Sequence, residues 1–363
     1  MDQQSSHGKK VPIISGIQQV GIGVADAKAA WKWYRKYFGM DVPIFEDAAQ
    51  AKLMTKYTAG KVEERYAILA MNMQGGGGFE IWQYTSKSPL APKDLPKLGD
   101  LGIFCVKIRT RNIEKTYQYF KSENLVILGD IKKSPDGRDH FFVRDPYGNL
   151  FQMVESESWF LENDGYTGGV AGCIIGVTNL KRASALYGDL LEYTEQYQTQ
   201  PKQQDDLKAL PGGEGDFARK LLLSSPFRYG AFSELLCQTE IELIQRLDIF
   251  PSKIFQDRYW GDLGFIHICF DIRGMKALEI KAKALGFQFT VNSADSFDMG
   301  KAAGQFAYCE DPDGTLIEFV ETHKIPIFEK LGLFLNLRNR NPHKALPKWM
   351  LRMLSLNRKK DKA

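Results

Sequence analysis

The sequence predicts an α+β protein made of four copies of one unit, a strand, a helix and about three more strands, followed by a basic tail. Three echoes within the chain carry this reading. The stretch Arg144-Asp145-Pro146-Tyr147-Gly148-Asn149-Leu150-Phe151-Gln152 returns as Glu310-Asp311-Pro312-Asp313-Gly314-Thr315-Leu316-Ile317-Glu318. Proline presets one φ and glycine accepts a positive φ, so each stretch is a turn that opens a strand. The strand Ile17 to Val24, the cap Asp26 and the helical positions Ala30, Trp33, Tyr34, Tyr37 and Phe38 return as Val170 to Val177, Asn179 and Ala183, Leu186, Tyr187, Leu190 and Leu191. Finally, Gly99-Asp100-Leu101-Gly102 before one strand returns as Gly261-Asp262-Leu263-Gly264 before another.

Taken in order, the units span about 13–86, 99–158, 168–247 and 262–323. The first opens on β-type residues, and its helix starts at the N-cap Asp26 and stops at Gly39. The spacing i, i+3, i+4, i+7, i+8 of its apolar residues gives that helix one buried face. Its decisive last strand is Phe79-Glu80-Ile81-Trp82-Gln83-Tyr84, after the glycine run Gly75 to Gly78. That run lacks the lysine and following helix of a phosphate loop and reads as a turn. The second unit has its helix around Ile113, Tyr117 and Phe120 and closes on the first Asp-Pro-x-Gly strand. The third closes on Ile241-Glu242-Leu243-Ile244-Gln245, and the fourth on the strand that holds Glu318. Grouped by neighbours, the chain divides into domains at 13–158 and 168–323 and a tail at 324–363.

Composition is that of a globular protein, with 44% apolar and 25% charged residues over 363 positions, enough for two domains. The polar lead Met1 to Lys10 is unlike a secretory leader, and no apolar run is long enough for a membrane span. The five cysteines are scattered and odd in number, which fits free thiols in a cytoplasmic protein. Net charge is +4, with about +9 from His323 onward, so the body is mildly acidic. That argues against a nucleic-acid-binding body.

The polar residues within the apolar strands carry the chemistry. In the four units the last-strand position holds Glu80, Gln152, Glu242 and Glu318, and the facing first-strand position is read as Gln19, Ile103, Gly172 and His267. A lone strand histidine is more often a satisfied core residue. Recurrence of ligand-type side chains at matched positions turns the reading towards a shared site.

With Gln19-Val20-Gly21-Ile22-Gly23-Val24-Ala25-Asp26, the helix ending Tyr34 to Gly39 and both Asp-Pro-x-Gly strands, residues 13–323 resemble the vicinal oxygen chelate superfamily of glyoxalases, bleomycin resistance proteins and extradiol dioxygenases. The resemblance implies four βαβββ units paired into two curved mixed-sheet cups, one of them holding a divalent metal (Zn, Fe, Ni, Mn or Co) on its first and last strands. If neighbouring units pair, the C-terminal cup offers Gly172, Glu242, His267 and Glu318. If the first pairs with the fourth, one cup offers Gln19, Glu80, His267 and Glu318. Both keep His267 and Glu318, and Trp82, Tyr84, Gly21 and Gly23 share strand faces with the ligand positions.

The implied activity is metal-dependent proton transfer beside a carbonyl of a small substrate through an enediolate, as in a glyoxalase-like lyase or an epimerase, with Glu318 as the base. A ring-cleaving dioxygenase and a non-catalytic sequestering protein are the alternatives; the single ligand-position histidine weighs against the dioxygenase. In the tail, Trp349, Met350, Met353, Leu354 and Leu356 outline an apolar face. It is expected to dock on the body, over a sheet or a homodimer surface; the alternative is peripheral contact with an anionic membrane.

Overall fold

All four predicted units form. The computed structural model describes residues 11–294, 297–298, 303–328 and 332–359; the lead Met1 to Lys10 and the tail lysines Lys330, Lys360 and Lys362 lie outside them. The first unit comprises β1 (Ile13–Gly23), α1 (Ala27–Phe38), β2 (Val42–Gln50), β3 (Glu64–Met71) and β4 (Gly78–Tyr84). The second comprises β5 (Gly102–Thr110), α2 (Ile113–Ser122), β6 (Val126–Lys133), β7 (Asp139–Arg144) and β8 (Leu150–Glu155). The third runs β9 (Val170–Gly176), α3 (Leu180–Ser184, continued by a wider turn to Leu190), β10 (Tyr193–Gln198), β11 (Phe217–Ser224), α4 (Ser233–Leu236) and β12 (Glu240–Arg246). The fourth runs β13 (Gly264–Arg273), α5 (Met275–Ala284), β14 (Phe289–Asn292), β15 (Phe297–Asp298), β16 (Ala303–Glu310) and β17 (Leu316–Phe328). After it come β18 (Leu333–Asn336) and α6 (Lys348–Arg352).

The units pair first with fourth and second with third. One curved sheet has the order β14-β16-β17-β13-β1-β4-β3-β2, with β15 on β16 and β18 on β17; the other has β10-β11-β12-β9-β5-β8-β7-β6. At each seam two first strands run antiparallel, β1 beside β13 and β5 beside β9, and each closing strand lies parallel to its own opening strand. The division into 13–158 and 168–323 is therefore not the division into sheets. Sequence proximity favours neighbours only through loop-closure entropy, which grows slowly with length. A ladder with matched faces outweighs it.

The apolar faces of both sheets and the helices share one core. Phe79 of the first sheet and Phe151 of the second lie 5.7 Å apart, and Phe38 of α1 sits 4.7 Å from Phe151. Helix α1 starts where the Asp26 carboxylate accepts from the amides of Lys28 and Ala29, and ends at Gly39 in the left-handed region. It buries Ala27, Ala30, Trp31, Tyr34 and Phe38, so Trp31 takes the inward place expected for Trp33. A fully buried ring such as Phe38 contributes about 1.5–3 kcal/mol. The repeated turns are alike: Asp145 accepts from the amides of Tyr147 and Asn149, and Asp311 from those of Asp313 and Thr315. The buried Tyr34 hydroxyl donates to Asp145 and that of Tyr187 to Asp311, tying each helix to the turn of the next unit. The glycine run is a connection, as expected. Gly76 has φ +90°, and a Cβ there would stand 2.6 Å from the Val170 carbonyl, where Gly77 bridges to the other sheet.

The tail docks. Leu346, Leu351 and Leu354 pack with Val42, Met71, Leu235, Leu236 and Ile325, while Arg358 pairs with Asp41 at 3.0 Å. Trp349 and Leu356, expected on the same apolar face, point outward at 61% and 59% exposure. Among the described residues no helix is long and apolar enough to cross a membrane, and all five cysteines are buried free thiols.

Asp271 on β13 gives the fold a pH dependence. Burial, and after it the charge of Glu321, lifts its carboxyl to about 7, with Arg273 opposing. The folded state then holds a proton that the unfolded chain has released above about 3.9, so stability falls as pH rises from about 4 to 7. Asp271→Asn is expected to be neutral near pH 4 and stabilising by up to about 4 kcal/mol at pH 8. Urea unfolding at both pH values measures this; equal effects at the two would contradict it.

Candidate metal centre

Four polar side chains converge on the polar face of the first sheet. Gln19 comes from β1, Glu80 from β4, His267 from β13 and Glu318 from β17. The ladder sets this: Gly21 lies beside Glu80 on one side and His267 on the other, and Cys269 pairs with Glu318. Each side chain occupies the face opposite the apolar core because strand neighbours alternate. His267 Nε2 lies 3.0 Å from Glu318 Oε2 and 3.4 Å from Glu80 Oε2, and Gln19 Nε2 is 3.4 Å from Glu318 Oε2. One ligand atom each from Glu80, His267 and Glu318 fits within a mutual span of 4.8 Å.

The set is buried and incomplete in hydrogen bonding. His267 is fully buried, and neither ring nitrogen has an aligned hydrogen-bond partner; Gln19 Oε1 also lacks one. Buried polar atoms are normally satisfied, so His267 Nδ1 and Gln19 Oε1, both without a partner here, point to a missing one. Electrostatics point the same way. Burial alone would drive the proton off the imidazole, yet Glu318 and then Glu80 outweigh it and hold His267 at about 9. The site draws positive charge. One imidazole, two carboxylates and an amide oxygen suit a divalent cation of the borderline-to-hard series.

Gly21 makes room for the histidine. A Cβ on it would stand 2.4 Å from His267 Cε1. Gly21→Ala is expected to push the ring off position and weaken divalent-metal binding by about 10–100-fold, the range for loss of a ligand's support. Calorimetric titration with zinc tests this; an unchanged affinity would show that the ring position is unimportant.

Two cavities adjoin the centre, and Arg65, Glu80, Phe306 and Glu318 line both. One lobe, about 130 Å³, has largely apolar walls, aliphatic apart from Phe45, Phe232 and Phe306. The other, about 170 Å³, is aromatic, with Trp82 and Trp260 edge-to-face at 4.7 Å. The Tyr84 hydroxyl donates to the Trp260 carbonyl behind them. Tyr308, opposite Glu318 on β16, sets its ring edge-on to His267 at 5.5 Å, and burial followed by Glu318 keeps its hydroxyl protonated well above the usual range. Tyr308 and Arg65 are not legible as site residues in the sequence, because an aromatic or an arginine in a strand carries no sign of which face it takes. Their place two strand positions from other site-facing residues is the only available signal.

Glu242 is not part of the centre. It belongs to the second sheet, where Arg219 lies at 2.6 Å, Lys107 at 2.7 Å and the Tyr197 hydroxyl donates at 3.1 Å. Burial opposes its charge, but Arg219 and Lys107 hold the carboxyl well below the usual range. Lys107 also meets Glu240 at 2.6 Å, and Arg138 meets Glu240 at 2.8 Å. Gly172 stands where Gln19 does, and Gln152 where Glu318 does. The counterpart of His267 is Cys105, not Ile103: Lys107 pairs with Gln152 as Cys269 pairs with Glu318, so the position two before each is compared. Counting from Gly102 and Gly264 gives the same answer. In this sheet fixed side-chain cations occupy the acidic ground.

The sequence model of the Glyoxalase/Bleomycin resistance protein/Dioxygenase superfamily matches residues 16–153. No curated protein matches the chain in sequence. Among solved structures, glyoxalase I from Zea mays is similar at 14% identity, over 84% of this chain and 92% of that one, with a TM-score of 0.52. A putative dioxygenase from Bacillus subtilis subsp. subtilis str. 168 is similar at 12% identity, over 85% of this chain and 86% of that one, with a TM-score of 0.54. At such identities the likeness is one of fold. Residues 16–153 thus match the superfamily's sequence model, and the chain as a whole has a glyoxalase-like fold.

Proposed function

We propose that the protein is a metal-dependent enzyme that moves a proton next to a carbonyl of a small substrate, as a glyoxalase-type lyase or an isomerase. The observation that carries this is the convergence of Gln19, Glu80, His267 and Glu318, with orphaned donor atoms, at the junction of two cavities. Those four residues would hold a divalent cation, through Gln19 Oε1, one carboxylate oxygen each of Glu80 and Glu318, and His267 Nε2. When bound, such a cation stabilises negative charge on substrate oxygens.

The protein's own residues do the rest. Glu318 takes the proton from the carbon beside the carbonyl and returns it to the product, a role suited to a carboxylate that borders both cavities. Tyr308, protonated and packed against His267, keeps the imidazole upright. The apolar walls exclude water around the reacting carbon and strengthen every charge interaction there.

Turnover of vicinal dicarbonyl and α-hydroxycarbonyl compounds in D2O is expected to place deuterium in the product. Glu318→Gln is expected to lower kcat by about 10²–10⁴-fold. Oxygen uptake with a catechol and ferrous iron would replace this reading by ring cleavage. Tight ligand binding with neither turnover nor metal would replace it by sequestration.

A further inference from the structure

The aliphatic cavity has a feature the centre does not require. Gln19, Glu80 and Glu318 of the centre line it, together with Leu69, Met71, Leu236, Val320, Ile325 and Leu354. Interiors normally close such spaces, because an apolar void forfeits dispersion contacts. Here the space is bounded by pieces far apart in the chain. Leu236 belongs to the third unit, whose closing strand lies in the other sheet, and Leu354 to the segment after α6. Leu354 sits beside Ile325 in the cluster that docks the tail, and Asn357 stands at the same wall. Among the described residues Arg65 is the single cationic side chain lining it.

We infer that the substrate carries an aliphatic substituent that lies in this cavity, and that the C-terminal segment 348–357 is the wall that sets how much of it fits. The inference takes from the proposed function only that the polar end binds two adjacent oxygens. Leucine, methionine, valine and isoleucine walls, joined by Phe45, Phe232 and Phe306, offer a hydrocarbon chain contact without directional demand. Away from the carboxylates only Gln18, Gln19, Arg65, Thr322 and Asn357 among the described lining residues carry polar side-chain groups, too few to pair the many polar groups of a peptide or nucleotide substituent. A substrate with its reacting oxygens at Glu80 and Glu318 therefore directs its chain towards Leu354.

Calorimetry with 1,2-butanediol, 1,2-hexanediol and 1,2-octanediol, unreactive carriers of two adjacent oxygens, tests this on the full-length protein. Affinity is expected to rise by up to about fourfold per methylene buried. Val320→Trp, which fills the cavity from β17, and Leu354→Trp, which fills it from the tail, are each expected to flatten that dependence. Thermal melts identify a variant that has failed to fold, and the other then carries the test. A wild-type protein indifferent to chain length would overturn the inference while leaving the metal and deuterium experiments to judge the function. A chain-length dependence unmoved in both folded tryptophan variants would place the hydrocarbon elsewhere and overturn it too.

Discussion

Replacing His267 by alanine is expected to reduce bound divalent metal from about one per chain to none and to abolish turnover. Three properties make this the largest functional effect. His267 is the sole nitrogen donor in the set, and its Nε2 is the atom nearest both carboxylates, at 3.0 and 3.4 Å. It is also completely buried, so water cannot readily take its place in the same orientation. Loss of a ligand's support alone costs about 10–100-fold in affinity, and loss of the ligand itself costs more. Without it, Glu80 and Glu318 lose the imidazole that lies against both of them. Elemental analysis after zinc loading and dialysis measures the outcome. Metal retained at one per chain would remove the centre from this position.

Replacing Lys107 by methionine is expected to destabilise the fold by about 3–5 kcal/mol, the range for breaking a buried ion pair. Lys107 is 2% exposed and bonded to Glu240 and Glu242, both buried. Methionine fills similar volume but leaves two carboxylates close together with only Arg138 and Arg219 to hold them. Both carboxyls are held below their ordinary range in the folded state despite burial, chiefly by Lys107 with Arg138 for Glu240 and by Arg219 with Lys107 for Glu242. Their contribution is therefore present above the unfolded value, about 4.3, and is lost as pH falls below it. The Lys107→Met penalty should accordingly shrink in acid. Adding Glu242→Gln should recover part of it at pH 7. Guanidinium unfolding at pH 7 and pH 4 reads both effects. Metal content should stay the same, since the centre lies in the other sheet. A metal-free Lys107→Met protein would contradict that placement.

The contrast between the two cups explains what could be read in advance and what could not. Glu80, His267, Glu318 and Gln19 were legible because they interrupt strands whose other members are apolar, at positions the repeats align. Glu242 satisfied the same criterion and belongs elsewhere. Its partners, Lys107 of the second unit and Arg219 of its own β11, look like ordinary strand cations until a fold places them inside. Ile103 was aligned two residues out of place, and the ladder irregularity between Ile103 and Cys105 shows how easily such a count slips. The outward turn of Trp349 and Leu356 had a similar cause, since a short amphipathic segment has two candidate faces until a body is there to choose one.

By itself the sequence determined the unit and its copies: where strands and helices begin, which turns recur, and that carboxylates stand at the closing strands. Those features follow from backbone sterics and side-chain periodicity, which act over a few residues. Only the tertiary structure decided which copies share a sheet. That choice brings Gly21 beside His267 across nearly 250 residues of chain. It turns on the fit of whole faces, one around an imidazole and one around lysine and arginine, and no local stretch of the chain contains it.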